Sequence, residues 1–115
     1  EIDIPIMIQA GLEDRTTKYT PEASEPFAKL GGPAYLLTLD DAGHFTFSDM
    51  CQLMEIIGAT IDSFDDGCSE AQITPTEAHP LINALSLAFL RRHLLGQDAD
   101  MQSLLPTEGA ALESK

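Results

Sequence analysis

Basic residues are scarce in this 115-residue chain, with six Lys and Arg against 19 Asp and Glu and a formal charge of −13. None of the six falls between Leu30 and Leu90, where Asp40, Asp41, Asp49, Glu55, Asp62, Asp65, Asp66, Glu70 and Glu77 all lie. Such a surface repels phosphate backbones and anionic headgroups, which argues against nucleic acid as a partner. Long apolar runs are lacking too. The longest, residues 81–95, is broken by Asn83, Ser86, Arg91 and Arg92, so nothing approaches the roughly 20 residues that span a bilayer. No membrane span is expected. The first residues offer neither a Met nor a basic n-region, so no signal peptide is read there, and the chain is expected to be a processed piece or a fragment. What remains is an ordinary globular composition, 43% apolar with 8 Gly and 7 Pro. It suits one small core and excludes disorder, collagen and coiled coil.

Isoleucines at 2, 4, 6 and 8 with Met7 between them read as a strand over residues 2–10, buried on both faces and ended by Gly11. Thr20, Pro21 and Glu22 form a helix start, with a hydroxyl cap, a proline in the first turn and an acid near the positive end; Pro26 keeps that helix short or broken. Gly31-Gly32-Pro33 stops it, and residues 34–39 (AYLLTL) form a second apolar strand. A helix-sized interval suits a parallel crossover better than a hairpin. Ser48 is expected to cap a helix whose stripe of Met50, Leu53, Met54 and Ile57 is a buried face, with Gly58 as its left-handed terminator. Residues 59–73 read as a polar, acidic loop. Thr74-Pro75-Thr76-Glu77 has the form of a capping box, but Pro80 allows a later start. A helix through residues 81–95 then ends at Arg91-Arg92-His93 and Gly96. The division is therefore 1–96 as the structured portion and 97–115 as a mobile or draped tail.

Two acid–base groups stand just after the two strands, Asp14 and His44. If the strands are parallel neighbours, their carboxyl ends lie about 5 Å apart, at the edge where open α/β sheets gather ligands and catalytic groups. An Asp there can fix the tautomer of a His and stabilise its protonated form.

Residues 4–14 (IPIMIQAGLED), Gly32-Pro33-Ala34-Tyr35-Leu36, Ala42-Gly43-His44-Phe45, Ala88-Phe89-Leu90 and Leu94-Leu95-Gly96 together resemble the C-terminal third of an α/β-hydrolase. The likeness covers residues 2–96 and is strongest to dienelactone hydrolase and platelet-activating-factor acetylhydrolase-like esterases. It implies an α/β fold of which this chain supplies the last two parallel strands and flanking helices. It also implies a carboxylic-ester hydrolase, with Asp14 and His44 as acid and base of a Ser-His-Asp triad. The substrate would be a small ester or lipid-like molecule, and no cofactor is implied. The family's G-x-S-x-G elbow is missing. Gly67-Cys68-Ser69-Glu70-Ala71 imitates it loosely, but follows no strand and comes after the histidine. The nucleophile would belong to the remainder of a hydrolase domain, and the isolated chain would be inactive. The alternative is a non-catalytic truncated module that works by docking on a partner chain.

Other residues carry weaker signals. Asp40 and Asp41 with Asp14 and His44 are an alternative cation site, although they lack a recognisable ligand spacing; metal is not expected, and a carbohydrate- or metal-binding domain is a third reading. Glu13 is the decoy nearest Asp14. His79 and His93 are assigned no catalytic role, and Phe45 and Phe47 are expected to pack beneath the histidine loop. Cys51 and Cys68 either bridge, closing a loop of about 18 residues worth on the order of 3 kcal/mol, or remain two separate thiols. Related secreted enzymes have cysteines in similar places. A bridge would imply an oxidising compartment, secreted or periplasmic, with the cytoplasm as the other possibility.

Overall fold

The computed structural model describes residues 2–58 and 65–115. Strand β1 spans Ile6–Gly11, β2 Ala34–Leu39 and β3 Ala110–Ser114, in the order β1-β2-β3. β1 and β2 are parallel, with Ile6 opposite Ala34 and Gly11 opposite Leu39. The chain is α/β, with a small mixed sheet.

β1 starts four residues later than the isoleucine pattern suggests. Pro5 has no N–H to give a ladder, and the first strand bond runs from the Ile6 amide to Pro33 O at 3.0 Å. Residues 6–9 are half-buried rather than buried on both faces, and Ile4 is 68% exposed. The physical reason is position: β1 is an edge strand, with no described strand on its other side.

The first helix differs from expectation in its opening. Thr20 does not cap it; Tyr19 precedes a π-helical turn, Thr20–Ser24, that runs straight into α1, Glu25–Lys29. Pro26 cannot donate to a carbonyl four residues back. The Glu25 amide instead bonds Thr20 O five residues back, and that wider turn absorbs the proline without breaking the helix.

Alternation along β2 sorts the core into two layers. Ala34 and Leu36 join Ala10, Ala23 and Phe27 beneath α1. Leu37 and Leu39 face the other way, toward Ala78, Leu85 and Ala88 of α3, Pro75–Leu95. Thr74 and Glu77 close the capping box reciprocally and fix the start of α3 at Pro75, so Pro80 sits inside the helix. Gly96, at φ 63°, ends it.

Residues 97–115, expected as a tail, contribute structure. Met101 is buried in the α3 layer, Gln102–Leu104 is a 3-10 turn, and β3 pairs antiparallel with β2, Leu112 opposite Leu37. Lys115 exchanges two backbone bonds with Ala34, each 3.0 Å.

Helix α2, Met50–Ile57, ends at Gly58 in the left-handed region, φ 66°. Ser48 Oγ accepts from the Met50 amide at 3.3 Å, although the cap residue itself is Asp49. The expected buried stripe is mostly not buried: Met54 is, whereas Leu53 is 48% and Ile57 62% exposed. A helix this short rests mainly on the histidine turn beside it. It is tied down by the Cys51–Cys68 disulfide, Cα–Cα 5.5 Å. The acidic loop between them lies outside the described residues over 59–64. Replacing both cysteines by serine is expected to cost about 3 kcal/mol, read as a lower urea midpoint with a steeper slope, because the unbridged unfolded chain exposes more surface; an unchanged midpoint and slope would mean that the bridge constrains nothing in the unfolded chain.

Candidate functional site

The parallel register puts the ends of β1 and β2 side by side, so the loops carrying Asp14 and His44 leave the sheet together. Backbone bonds continue the pairing past the strands: the Leu12 amide reaches Leu39 O and the Glu13 amide reaches Ala42 O, both at 3.0 Å. Gly11 makes this approach possible, because a Cβ there would collide with the Ala42 carbonyl.

Asp14 turns back on its own loop. Its Oδ1 accepts the amides of Thr16 at 2.9 Å and Thr17 at 2.6 Å, the turn-forming habit of aspartate. That clamp leaves Oδ2 directed at His44 Nδ1, 3.1 Å away. The Asp14 side chain is 8% exposed and that of His44 37%. Because a carboxylate only accepts, Nδ1 carries the proton and Nε2 presents its lone pair. Nε2 makes no hydrogen bond among the described residues. Thr17 Oγ1, 3.3 Å from Nδ1, is a second oxygen beside the same N–H. The Phe45 ring stands edge-on to the imidazole, with centroids 5.2 Å apart.

Compared with known proteins, the chain matches no family model, no curated protein and no solved structure. The geometry of the site must therefore carry the functional argument.

A residue that the sequence did not single out bonds to both loops. Asp66, 7% exposed, accepts from the Arg15 amide at 3.1 Å, the Thr16 amide at 3.0 Å and the Thr16 hydroxyl at 2.7 Å. It also accepts from the His44 amide at 3.2 Å, and its carbonyl takes the Phe45 amide at 2.7 Å. Burial pushes its carboxyl up, but the Thr16 hydroxyl and the amides of His44, Arg15 and Thr16 outweigh burial and hold it below the ordinary aspartate range. A group depressed in the folded state contributes stability above its unfolded pKa, and that contribution is lost as pH falls through the folded value. Acid below about pH 4 is therefore expected to loosen the site. Asp66→Asn should flatten that acid limb in thermal melts between pH 3 and pH 7; an unaltered limb would show that other carboxylates set it.

The remaining candidates fall elsewhere. Among the described residues no group of three His, Cys, Asp or Glu is placed to hold a metal ion, so Asp40 and Asp41, both exposed, do not complete a cation site with Asp14 and His44. Glu13 is exposed. His79 Nε2 lies 3.0 Å from Thr46 O, and His93 Nε2 lies 3.2 Å from the Tyr35 hydroxyl. Phe47, expected beneath the histidine loop, is partly buried against the α3 layer. Ser69 Oγ bonds Gln72 Oε1 at 3.0 Å within a turn, and among the described residues no serine is bonded to His44. A groove lined by Leu39, Ile73, Ala78, Leu81, Leu104 and Leu105 includes neither Asp14 nor His44.

Nothing in composition separates Asp66 from its acidic neighbours. The Asp-Gly turn signal at 66–67 was its only local mark, and that speaks of a bend, not of what the carboxylate reaches.

Proposed function

We propose that this chain carries the acid and the base of a serine carboxylic-ester hydrolase of the α/β-hydrolase type, the serine standing on a segment outside these residues. The observation that carries this reading is the 3.1 Å contact between Asp14 Oδ2 and His44 Nδ1 at the carboxyl ends of neighbouring parallel strands. In that role Nε2 takes the proton of the serine hydroxyl as its oxygen attacks the ester carbonyl. The same proton goes to the departing alkoxide, and a water then enters through Nε2 to release the acid. Asp14 keeps the imidazole in the useful tautomer and stabilises it once charged. No cofactor enters. The substrate class is a short acyl ester, a lactone or an oxidised phospholipid. The disulfide favours an oxidising compartment, secreted or periplasmic; no described helix is long and apolar enough to cross a membrane.

Labelling by a fluorophosphonate tests it. The 115-residue chain alone is expected to remain unlabelled, and a protein that joins it to a strand bearing a G-x-S-x-G elbow is expected to label. Should no such segment exist in the complete gene, the reading fails.

A second reading, a non-catalytic module that docks on a partner chain, is favoured by the exposed surface. The accessible area is 7079 Å², against about 6,100 Å² for a compact monomer of this mass. Exposed Ile4, Leu90 and Leu94 contribute to it. A folded, monomeric chain in sedimentation would remove the support for that reading.

A further inference from the structure

We propose that Asp66 is a positioning residue for the Asp14–His44 pair, one carboxylate fixing the acid loop and the histidine loop to each other. The inference rests on the reading of Asp14 and His44 as acid and base, and concerns what keeps them at bonding distance.

Past Glu13 the two loops share no backbone hydrogen bond among the described residues. Apart from the contacts of Asp14 and Thr17 with the imidazole itself, the link from there on is Asp66, which takes amides of Arg15 and Thr16 on one side and of His44 on the other. Both partners of the pair are thus held within two residues of their own side chains. The carboxylate is also fixed from behind. Gly67 N donates to Gln72 Oε1 at 2.7 Å, and Cys68 is bridged to Cys51 at the start of α2. Gly43 and Gly67 permit the two turns to touch backbone to backbone: a Cβ on Gly67 would come within 2.6 Å of the Phe45 amide, and one on Gly43 would strike the Gly67 amide. Asp66 therefore cannot follow one loop away from the other. Since misplacement by about 1 Å can cost a reaction about a hundredfold, a group that sets the relative position of the two loops acts on the chemistry without touching substrate.

The test reads the His44 Nδ1–H directly, by proton and nitrogen resonances of histidine-labelled chain. In Asp66→Asn an acceptor oxygen becomes an NH₂ facing amide donors. Exchange of the Nδ1–H with water is expected to rise about tenfold or more, with the nitrogen shifts moving toward a mixture of tautomers. Thr16→Val, which removes a single donor to Asp66, should move both signals the same way by about threefold. Thr74→Ala removes the cap of α3 at a cost of about 1 kcal/mol and serves as the control for stability alone; it should leave both signals in place. Unchanged exchange and tautomer in Asp66→Asn would overturn the proposal, as would an equal effect in Thr74→Ala. If Asp66→Asn does not fold, Thr16→Val decides by the same readout. No ester is involved, so absence of hydrolysis would count against the proposed function and leave this result standing.

Discussion

His44→Ala is expected to lower fluorophosphonate labelling and ester hydrolysis by about 10⁴-fold or more in the protein that supplies the serine. The size follows from what the imidazole does in the proposed role. Nε2 makes no hydrogen bond among the described residues, which leaves its lone pair free for the serine proton in that role, and Nδ1 is committed to Asp14 at 3.1 Å. Alanine removes base and acid at once, so attack and departure both lose their proton carrier. Asp14→Asn keeps the shape but offers an NH₂ toward Nδ1, which favours the tautomer with its proton on Nε2 and the lone pair turned inward. Its loss should be of similar order and slightly smaller. The double variant should be no worse than His44→Ala, because the two residues act as one unit. Losses that multiply would show Asp14 acting independently of the histidine. Hydrolysis unchanged in His44→Ala would remove His44 from the chemistry. Folding is checked on the same variants by urea melts, because His44→Ala leaves the Asp14 carboxylate, 8% exposed, without its imidazole partner and should cost about 1–2 kcal/mol, far less than the loss of activity.

What could be read from the sequence depended on how local the signal was. Residues 34–39 are a short apolar run bounded by Gly-Pro on one side and Asp-Asp on the other, and β2 occupies that span. The cap of α3 and its glycine stop were equally local. β3 was invisible for the opposite reason. Ala110-Ala111-Leu112-Glu113-Ser114 has one large apolar residue and little strand propensity, and its stability comes from the β2 ladder and the burial of Leu112. The periodic stripe of α2 misled because amphipathicity states which face can be buried, not that something is there to bury it.

The site divides the same way. Asp14 and His44 were legible because each follows a strand, and parallel pairing brings strand ends together whatever the loops do. Asp66 was not, because its importance lies in amides contributed by residues 50 and 22 positions away in sequence. An acidic run looks like a solvated face until one of its members is found 7% exposed with its oxygens saturated by donors.

The same distance in sequence makes Gly67 a sensitive position. Gly67→Ala is expected to destabilise the chain by about 3–5 kcal/mol. Gly67 has φ 116°, a conformation that L side chains rarely adopt, and its missing Cβ would sit 2.5 Å from Thr46 N and 2.6 Å from Phe45 N. Those atoms are backbone in the histidine turn and cannot rotate aside. Relief requires the 65–68 turn to back away, which withdraws the Asp66 carboxylate from the His44 amide and leaves buried donors without acceptors. Gly58→Ala and Gly96→Ala separate the two causes. Both glycines have positive φ, 66° and 63°, with nothing within 4 Å of the added Cβ, so each should cost only the conformational penalty of about 1–2 kcal/mol. Urea melts of the three variants side by side give the comparison. If Gly67→Ala costs no more than the other two, the contact between the turns is soft. The loop that holds Asp66 would then have room to adjust around His44.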